Sequence, residues 1–147
     1  MLRLIARYAE WLHTRWPAGT VESLPEIRED GSTAVPGVYI AGDLSGIPLL
    51  KFALDGGARV ARTIAADPTL RAGGDAEGLL DLVIIGAGVA GMAAAVEARR
   101  LGLTLEVVEA TAPFSTLVNF PRTKPIYTYP RAMTPAGALQ VTAEVKE

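Results

Sequence analysis

The stretch that decides the fold is Asp81-Leu82-Val83-Ile84-Ile85-Gly86-Ala87-Gly88-Val89-Ala90-Gly91-Met92-Ala93. It predicts a buried β-strand that runs into a glycine-rich turn and then into a helix. Its three glycines, Gly86, Gly88 and Gly91, have the G-x-G-x-x-G spacing. The first allows a tight turn, the second lets a pyrophosphate approach the backbone, and the third lets the helix pack on the strand. The diphosphate is then expected at the helix N-terminus, on the amides around Val89 and Ala90.

A carboxylate beyond the helix supports a dinucleotide ligand. Residues 105–109 predict a second strand that ends in Glu109, 23 positions after Gly86. That separation is close to the roughly 20 positions expected for an acid that holds a ribose hydroxyl. The pattern predicts an α/β fold with a Rossmann-like FAD- or NAD(P)-binding unit and a parallel sheet. The alternative is a tight strand-to-helix turn that binds no ligand.

Composition narrows the classes of function. The chain has 147 residues, of which 50% are hydrophobic and 20% charged, as expected for one globular domain. A net charge of −2 argues against a nucleic-acid partner. With no cysteine and one histidine, His13, the sequence offers no disulfide, no redox pair and no multi-histidine site, so no metal is predicted. No signal peptide and no apolar run of about 18 residues is present, so a cytoplasmic protein without a transmembrane segment is expected.

The chain divides into four predicted segments. Residues 1–20 carry an amphipathic helix, residues 21–65 a short strand and a helix, residues 66–80 a linker rich in Gly, Asp and Pro, and residues 81–147 the dinucleotide unit. A helix that begins at Gly137 and is cut by the end of the chain is expected to close this last segment, as in a truncated protein.

Residues 21–65 contain a second candidate motif. The short strand at 38–41 ends in Gly42-Asp43, and the following helix is predicted over residues 47–65, with Pro48 in its first turn. Gly56 and Gly57 lie in mid-helix, where each costs about 1 kcal/mol relative to alanine. Their presence therefore predicts the close approach of another backbone or of a cofactor.

Two segments together resemble the FAD-containing pyridine-nucleotide oxidoreductases of the thioredoxin-reductase type. Residues 81–110 are similar to the FAD fingerprint that opens those chains, and residues 33–43 are similar to the Gly-Asp motif near their C-terminus. The resemblance implies FAD as cofactor, with Asp43 on the ribityl chain and Glu109 on the adenosine ribose. It also implies that the helix starting near Ile47 points its N-terminus at the flavin ring. Residues 117–134 more loosely resemble flavoproteins of the bacillithiol-disulfide-reductase kind.

The order of the motifs is reversed relative to that family, because Gly42-Asp43 precedes Gly86. One interpretation is a circularly permuted domain, in which the linker at 66–80 joins the family's last helix to its first strand. The other is that residues 1–65 end one flavoprotein unit and residues 81–147 begin a second. We favour the permuted single site, since the termini of compact domains are often close together. The strands at 38–42, 82–86 and 105–109 would then share one sheet.

Elements of the family's chemistry are missing from this chain. It has neither a cysteine pair nor a second G-x-G-x-x-G, so it resembles the FAD-binding portion of an oxidoreductase without its NAD(P)H domain. Electrons would pass from NAD(P)H through the flavin to an unknown acceptor, with the missing domain or a second copy as partner. The alternatives are a NAD-binding Rossmann domain without flavin and a non-catalytic remnant or interaction module. No general acid or base is predicted. Weaker candidates for phosphate, flavin or substrate contacts are Lys51, Lys124, Tyr127 and Tyr129.

Overall fold

The computed structural model describes residues 4–8, 11, 24–71, 78–124 and 126–141, with backbone alone at 70 and 71. Its helices are α1 (Leu50–Ala66), α2 (Pro68–Arg71), α3 (Val89–Arg100) and α4 (Ser115–Val118), and its strands are β1 (Leu82–Ile85) and β2 (Leu105–Val108). Residues 4–8 and 11 are helical, and the rest of the helix predicted within 1–20 lies outside the described residues. No described helix has the length and apolar character needed to cross a membrane.

A parallel β-α-β unit is formed by β1, α3 and β2. The two strands pair in register from Leu82 opposite Leu105 to Ile85 opposite Val108. The strands predicted at 82–86 and 105–109 are therefore confirmed, each one residue shorter. Because side chains alternate along a strand, Ile84 is buried in the core while its neighbours Val83 and Ile85 are exposed. The fold is thus a mixed helix–strand structure with a small parallel sheet.

The third strand predicted at 38–42 does not join this sheet. The chain turns at residues 35–37 and pairs with itself, so that Ser32 and Tyr39 form an isolated antiparallel bridge. The Thr33 amide donates to the Val38 carbonyl at 3.0 Å, and the Ile40 amide donates to the Gly31 carbonyl at 2.8 Å. This local pairing takes the hydrogen bonds of one side of the segment. In the described part of the chain the sheet has two strands, and a full Rossmann sheet is not present.

Helix α1 packs against α3 at very close range. A Cβ built on Gly57 would overlap the carbonyl oxygen of Ala90, whereas one on Gly56 would lie 3.9 Å from the Cβ of Ala41. The close approach predicted from the two mid-helix glycines is confirmed at Gly57, where the neighbour is another backbone. The buried core shared by the two helices and β1 includes Val60, Ala61, Ile64, Ile84, Ala94, Ala95 and Ala98.

The bounds of two predicted helices need correction. Helix α1 begins at Leu50 rather than at Ile47, because the Leu49 amide donates to the Ile47 carbonyl in a tight turn that keeps Pro48 out of the first helical turn. Residues 137–141 are not helical. Gly137 has a φ of 89°, and a Cβ there would lie 2.7 Å from that of Ala58 on α1. Residues 142–147 lie outside the described residues. The segment predicted as a linker, residues 66–80, begins with the last residue of α1 and contains helix α2, and residues 72–77 of it are likewise outside the described residues.

Residues 130–137 form a segment across α1 and α3, which we call the strap. Lys51 is only 6% exposed, and its ammonium donates to the carbonyls of Pro130 and Met133, each at 2.8 Å. The Ala136 amide donates to Asp55 Oδ1 at 2.8 Å. Beneath the strap, the buried carboxylate of Glu97 accepts from Arg62 Nε at 2.8 Å. These contacts hold the strap on the two packed helices.

Candidate functional site

One cavity of about 390 Å³, here called the cofactor cavity, brings the two sequence motifs together. Its walls are the turn after residue 41, the start of α1, the glycine turn after β1, and α4. The predicted site residues that line it are Gly42, Asp43, Gly86, Gly88, Val89, Ala90 and Gly91. Two predicted site residues, Glu109 and Ile47, are not among its lining residues, and Ile47 borders a different cavity of about 400 Å³.

The three glycines of the turn differ in their surroundings. Gly86 has a φ of 99°, a left-handed conformation that favours glycine. A Cβ on Gly91 would overlap the carbonyl oxygen of Gly86, so α3 can approach the end of β1 only with glycine there. A Cβ on Gly88 would meet no atom within 4 Å. The first and third glycines thus shape the turn, while the second leaves open space on the cavity wall.

The N-terminus of α3 opens onto this space. Its first helical bond runs from the Met92 amide to the Gly88 carbonyl, and Gly88 as N-cap supplies no side chain to the helix end. None of the hydrogen bonds among the described residues uses the amides of Val89, Ala90 or Gly91. Unpaired N–H groups at the positive end of a helix dipole are suited to an anionic group such as a diphosphate.

Gly42 and Asp43 form another part of the cavity wall, beside the start of α3. Gly42 has a φ of 90°, and a Cβ on it would lie 3.0 Å from the Cβ of Ala90, so the motif sits directly against the first turn of α3. The Ser45 hydroxyl donates to the Gly42 carbonyl at 2.6 Å and stabilises the turn. The Asp43 side chain is exposed, and no hydrogen bond to it appears in the described part of the chain. Its carboxylate is available to accept hydrogen bonds from a ligand hydroxyl.

Glu109 connects the end of β2 to the glycine turn. Its Oε2 accepts from the Ala87 amide at 2.7 Å, and its Oε1 accepts from the amide and the hydroxyl of Thr111 at 3.0 and 3.1 Å. The bond from Ala87, followed by those from Thr111, holds the pKa of this carboxyl below its ordinary value. With two bonds on Oε1 and one on Oε2, the carboxylate keeps one acceptor position on Oε2 for a ribose hydroxyl.

The remaining wall comes from α4 and its neighbours, which the sequence did not single out as site residues. The Phe114 amide donates to the Ala87 carbonyl at 2.9 Å and so fixes this wall to the glycine turn. The wall residues are Phe114, Thr116, Leu117 and Phe120. The only signal for them in the sequence is an apolar cluster soon after the second strand, without regular periodicity.

The four weaker candidates for phosphate, flavin or substrate contacts differ in how close they lie to the cofactor cavity. Lys124 places its ammonium 3.7 Å from the ring centre of Phe120, which borders the cofactor cavity. Lys51 is not available as a phosphate contact, because main-chain carbonyls of the strap surround its ammonium. Tyr127 and Tyr129 are exposed and do not line the cavity.

Comparison with known proteins gives one match. The family model described as an FAD binding domain matches residues 81–120, about a quarter of the chain, which cover β1, the glycine turn, α3, β2 and α4. No curated protein and no solved structure matches the chain. The match supports FAD as the cofactor and a flavin-dependent oxidoreductase as the general class.

Proposed function

We propose that this chain binds one FAD molecule across the cofactor cavity and is the FAD-binding portion of a flavin-dependent NAD(P)H oxidoreductase of the thioredoxin-reductase type. The observation that carries the proposal is that one cavity is lined both by the glycine turn and by Gly42-Asp43. The family match covers the glycine turn but not Gly42-Asp43, which precedes the matched residues. Flavin binding accounts for both motifs, whereas NAD binding leaves Gly42-Asp43 without a role.

The chain's own residues bind and orient the cofactor. The amides of Val89 and Ala90 receive the diphosphate beside the open position at Gly88, Asp43 accepts from the ribityl hydroxyls, and Glu109 accepts from the adenosine ribose. Among the residues that line the cavity, Asp43 is the one with an ionisable side chain. Bound FAD would supply the electron-transfer chemistry. The protein would position the cofactor and set its electrostatic environment.

The shared cavity also supports a circularly permuted arrangement. If residues 1–65 and 81–147 were fragments of two separate units, their motifs would have no reason to face one cavity. Instead Gly42 packs on Ala90, the second residue of α3. The electron donor NAD(P)H would then be bound outside this chain, by a further domain or a second copy.

Flavin binding is best tested by titrating the purified chain with FAD and, separately, with NAD, following flavin fluorescence and protein fluorescence. We expect saturable FAD binding. Gly88→Ala should weaken it at least about tenfold, because the new methyl group enters the space of the diphosphate while stability stays within about 0.5 kcal/mol. Gly56→Ala, at a glycine outside the cavity with an ordinary 3.9 Å neighbour, is the matched control and should bind FAD as the wild type does.

The variant Asp43→Asn tests whether both motifs bind one FAD molecule, as opposed to NAD binding or a non-catalytic module. The loss of a charge-assisted hydrogen bond should weaken FAD binding by about tenfold. Unchanged FAD affinity in this variant would refute the single site shared by both motifs. Saturable NAD binding without FAD binding would instead establish the nicotinamide alternative, and binding of neither would favour a non-catalytic module.

A further inference from the structure

One face of the small sheet lies open in the described part of the chain. Paired residues of parallel strands turn their side chains to the same face, so Val83 and Glu106 share this face with Ile85 and Val108. The three aliphatic residues are between 50% and 89% exposed, and Glu106 is exposed as well. The opposite face packs on the core through Ile84 and its neighbours. The open face, here called the outer sheet face, is therefore an apolar patch that carries one carboxylate.

A second apolar surface lies on the helical residues near the start of the chain. Leu4, Ile5 and Tyr8 are between 62% and 75% exposed, and at 3.6 residues per turn their spacing places them on one side of the helix. Tyr8 also stacks on Trp11, with ring centres 6.0 Å apart. Arg7 follows Leu4 by three residues and therefore borders this side. The helix thus presents an apolar side with a guanidinium at its border.

The two surfaces are complementary in charge. Arg7 and Glu106 are both exposed, and neither takes part in an ion pair within the described residues. If the apolar side of the helix lies on the outer sheet face, a guanidinium comes close to a carboxylate at the edge of an apolar contact. Salt and water screen such a pair less than they screen a pair on an open surface. Contact between the outer sheet faces of two copies would instead bring two Glu106 carboxylates into one interface, which is unfavourable.

The partner that carries both surfaces is a second copy of this chain. Within one chain the helix side and the outer sheet face are both exposed, so the helix does not cover the sheet of its own chain. We propose that two copies associate about a two-fold axis, with helical residues 4–8 and 11 of each copy packed on the outer sheet face of the other. Such an exchange covers all four surfaces with one kind of contact. It does not depend on cofactor binding.

The size of the surfaces sets the expected affinity. Strands of four residues offer a patch only about 13 Å long, so one helix-on-sheet contact is smaller than a standard protein interface of roughly 1,200–2,000 Å². The two-fold arrangement makes this contact twice and approaches the lower end of that range. We therefore expect a reversible dimer with a Kd on the order of micromolar rather than a permanent one.

The test is sedimentation velocity of the purified full chain over a range of about 1–200 µM, which brackets that affinity. We expect a monomer–dimer equilibrium for the wild type. Val108→Lys on the sheet and Tyr8→Lys on the helix should each raise the dimer Kd at least about tenfold, because each would bury a charge in the apolar contact. Tyr8 lies outside the buried core, so its variant keeps the fold even if Val108→Lys does not. Ile85 is left unchanged because it also lines the cofactor cavity.

Two matched controls make the same substitutions elsewhere. Val118→Lys and Tyr127→Lys lie at exposed residues that belong to neither surface and do not line the cofactor cavity, and both should dimerise as the wild type does. A monomeric wild type, or a dimer that Val108→Lys and Tyr8→Lys leave unchanged, would overturn the proposal. A monomer that binds vesicles of anionic phospholipid through Tyr8 would assign the helix to a lipid surface instead.

A charge exchange tests how the two surfaces meet. Arg7→Glu and Glu106→Arg should each weaken the dimer by about threefold to tenfold, because each places two like charges at the contact. The double variant carries both charges in exchanged positions and should recover most of the wild-type affinity. Additive losses in the double variant would contradict the placement of the helix on the outer sheet face.

Discussion

Two contacts join the segment that carries Gly42-Asp43 and α1 to the β-α-β unit that carries the glycine turn. These two contacts differ in how closely the chains approach. Between α1 and α3 the contact is so close that a single methyl group on Gly57 would overlap the backbone at Ala90. Between residues 37–41 and β1 an open groove of about 290 Å³ remains. The same two halves are thus tightly packed through their helices and separated along their sheet edges.

This difference shows which contact holds the cofactor cavity together. Gly42-Asp43 and the glycine turn face each other because α1 lies on α3, with small residues along the interface. Packed helix interfaces tolerate little change in volume, whereas an unpaired strand edge can gain or lose a partner without repacking the core. The rigid element of the site is therefore the helix pair, and the adjustable element is the sheet edge.

The largest effect is expected at the helix contact. Gly57→Ala should lower the free energy of unfolding by about 2 kcal/mol, because overpacking outweighs the gain of about 1 kcal/mol in helix propensity. The same substitution at Gly56 should raise it by about 0.5 kcal/mol, since its new methyl group has ordinary room. Urea denaturation of the two variants gives both values, and FAD titration should show weakened binding for Gly57→Ala alone.

Equal stability of these two variants would contradict the conclusion that the helix pair is the rigid element of the site. It would mean that α1 shifts on α3 without cost, and the helix pair would then be no more rigid than the groove. A destabilised Gly57→Ala that still binds FAD as the wild type does would show that the cavity forms independently of this contact.

Local sequence was sufficient to predict the β-α-β unit and the close approach at Gly57. In both places the signal is a backbone requirement: Gly86 needs a positive φ, and Gly57 leaves no room for a side chain. Such requirements are visible in sequence because only glycine meets them. The family match over residues 81–120 agrees with this part of the interpretation.

Other features depended on contacts that sequence does not encode locally. Residues 38–42 have a strand-like composition, but their partner is chosen by the turn at 35–37, which returns them to residues 31–33. The sequence at Gly137 predicts the start of a helix, whereas in the structure Gly137 packs against Ala58 and Glu97. The wall at α4 was missed because its place opposite α1 follows from tertiary packing alone.

A middle-sized effect is expected where the strap meets α1. Lys51→Met removes the ammonium that pairs with the carbonyls of Pro130 and Met133, and it should lower the free energy of unfolding by about 1–2 kcal/mol. Lys124→Met makes the same change of charge at an exposed lysine and should cost about 0.5 kcal/mol. Urea denaturation compares the two, and hydrogen exchange at Ala136 should accelerate only in Lys51→Met. Unaltered exchange there would show that Lys51 does not hold the strap.

The smallest effect is expected at Glu109, which ties the glycine turn to the end of β2. Glu109 is only half-buried, so solvent screens its bonds to Ala87 and Thr111. The pKa of Glu109 is lowered in the folded protein. Its contribution to the free energy of unfolding is therefore present above the ordinary glutamate pKa of about 4.3, and it disappears as the pH falls through the lower pKa of the folded protein.

Glu109→Gln should therefore be slightly less stable than the wild type at pH 7, and the difference should shrink below about pH 4. Thermal unfolding of both proteins, dilute enough to be monomeric, between pH 7 and pH 3 measures it, with Glu106→Gln on the exposed side of β2 as control. A difference that stays constant over this range would show that the charge of Glu109 plays no part in holding the turn.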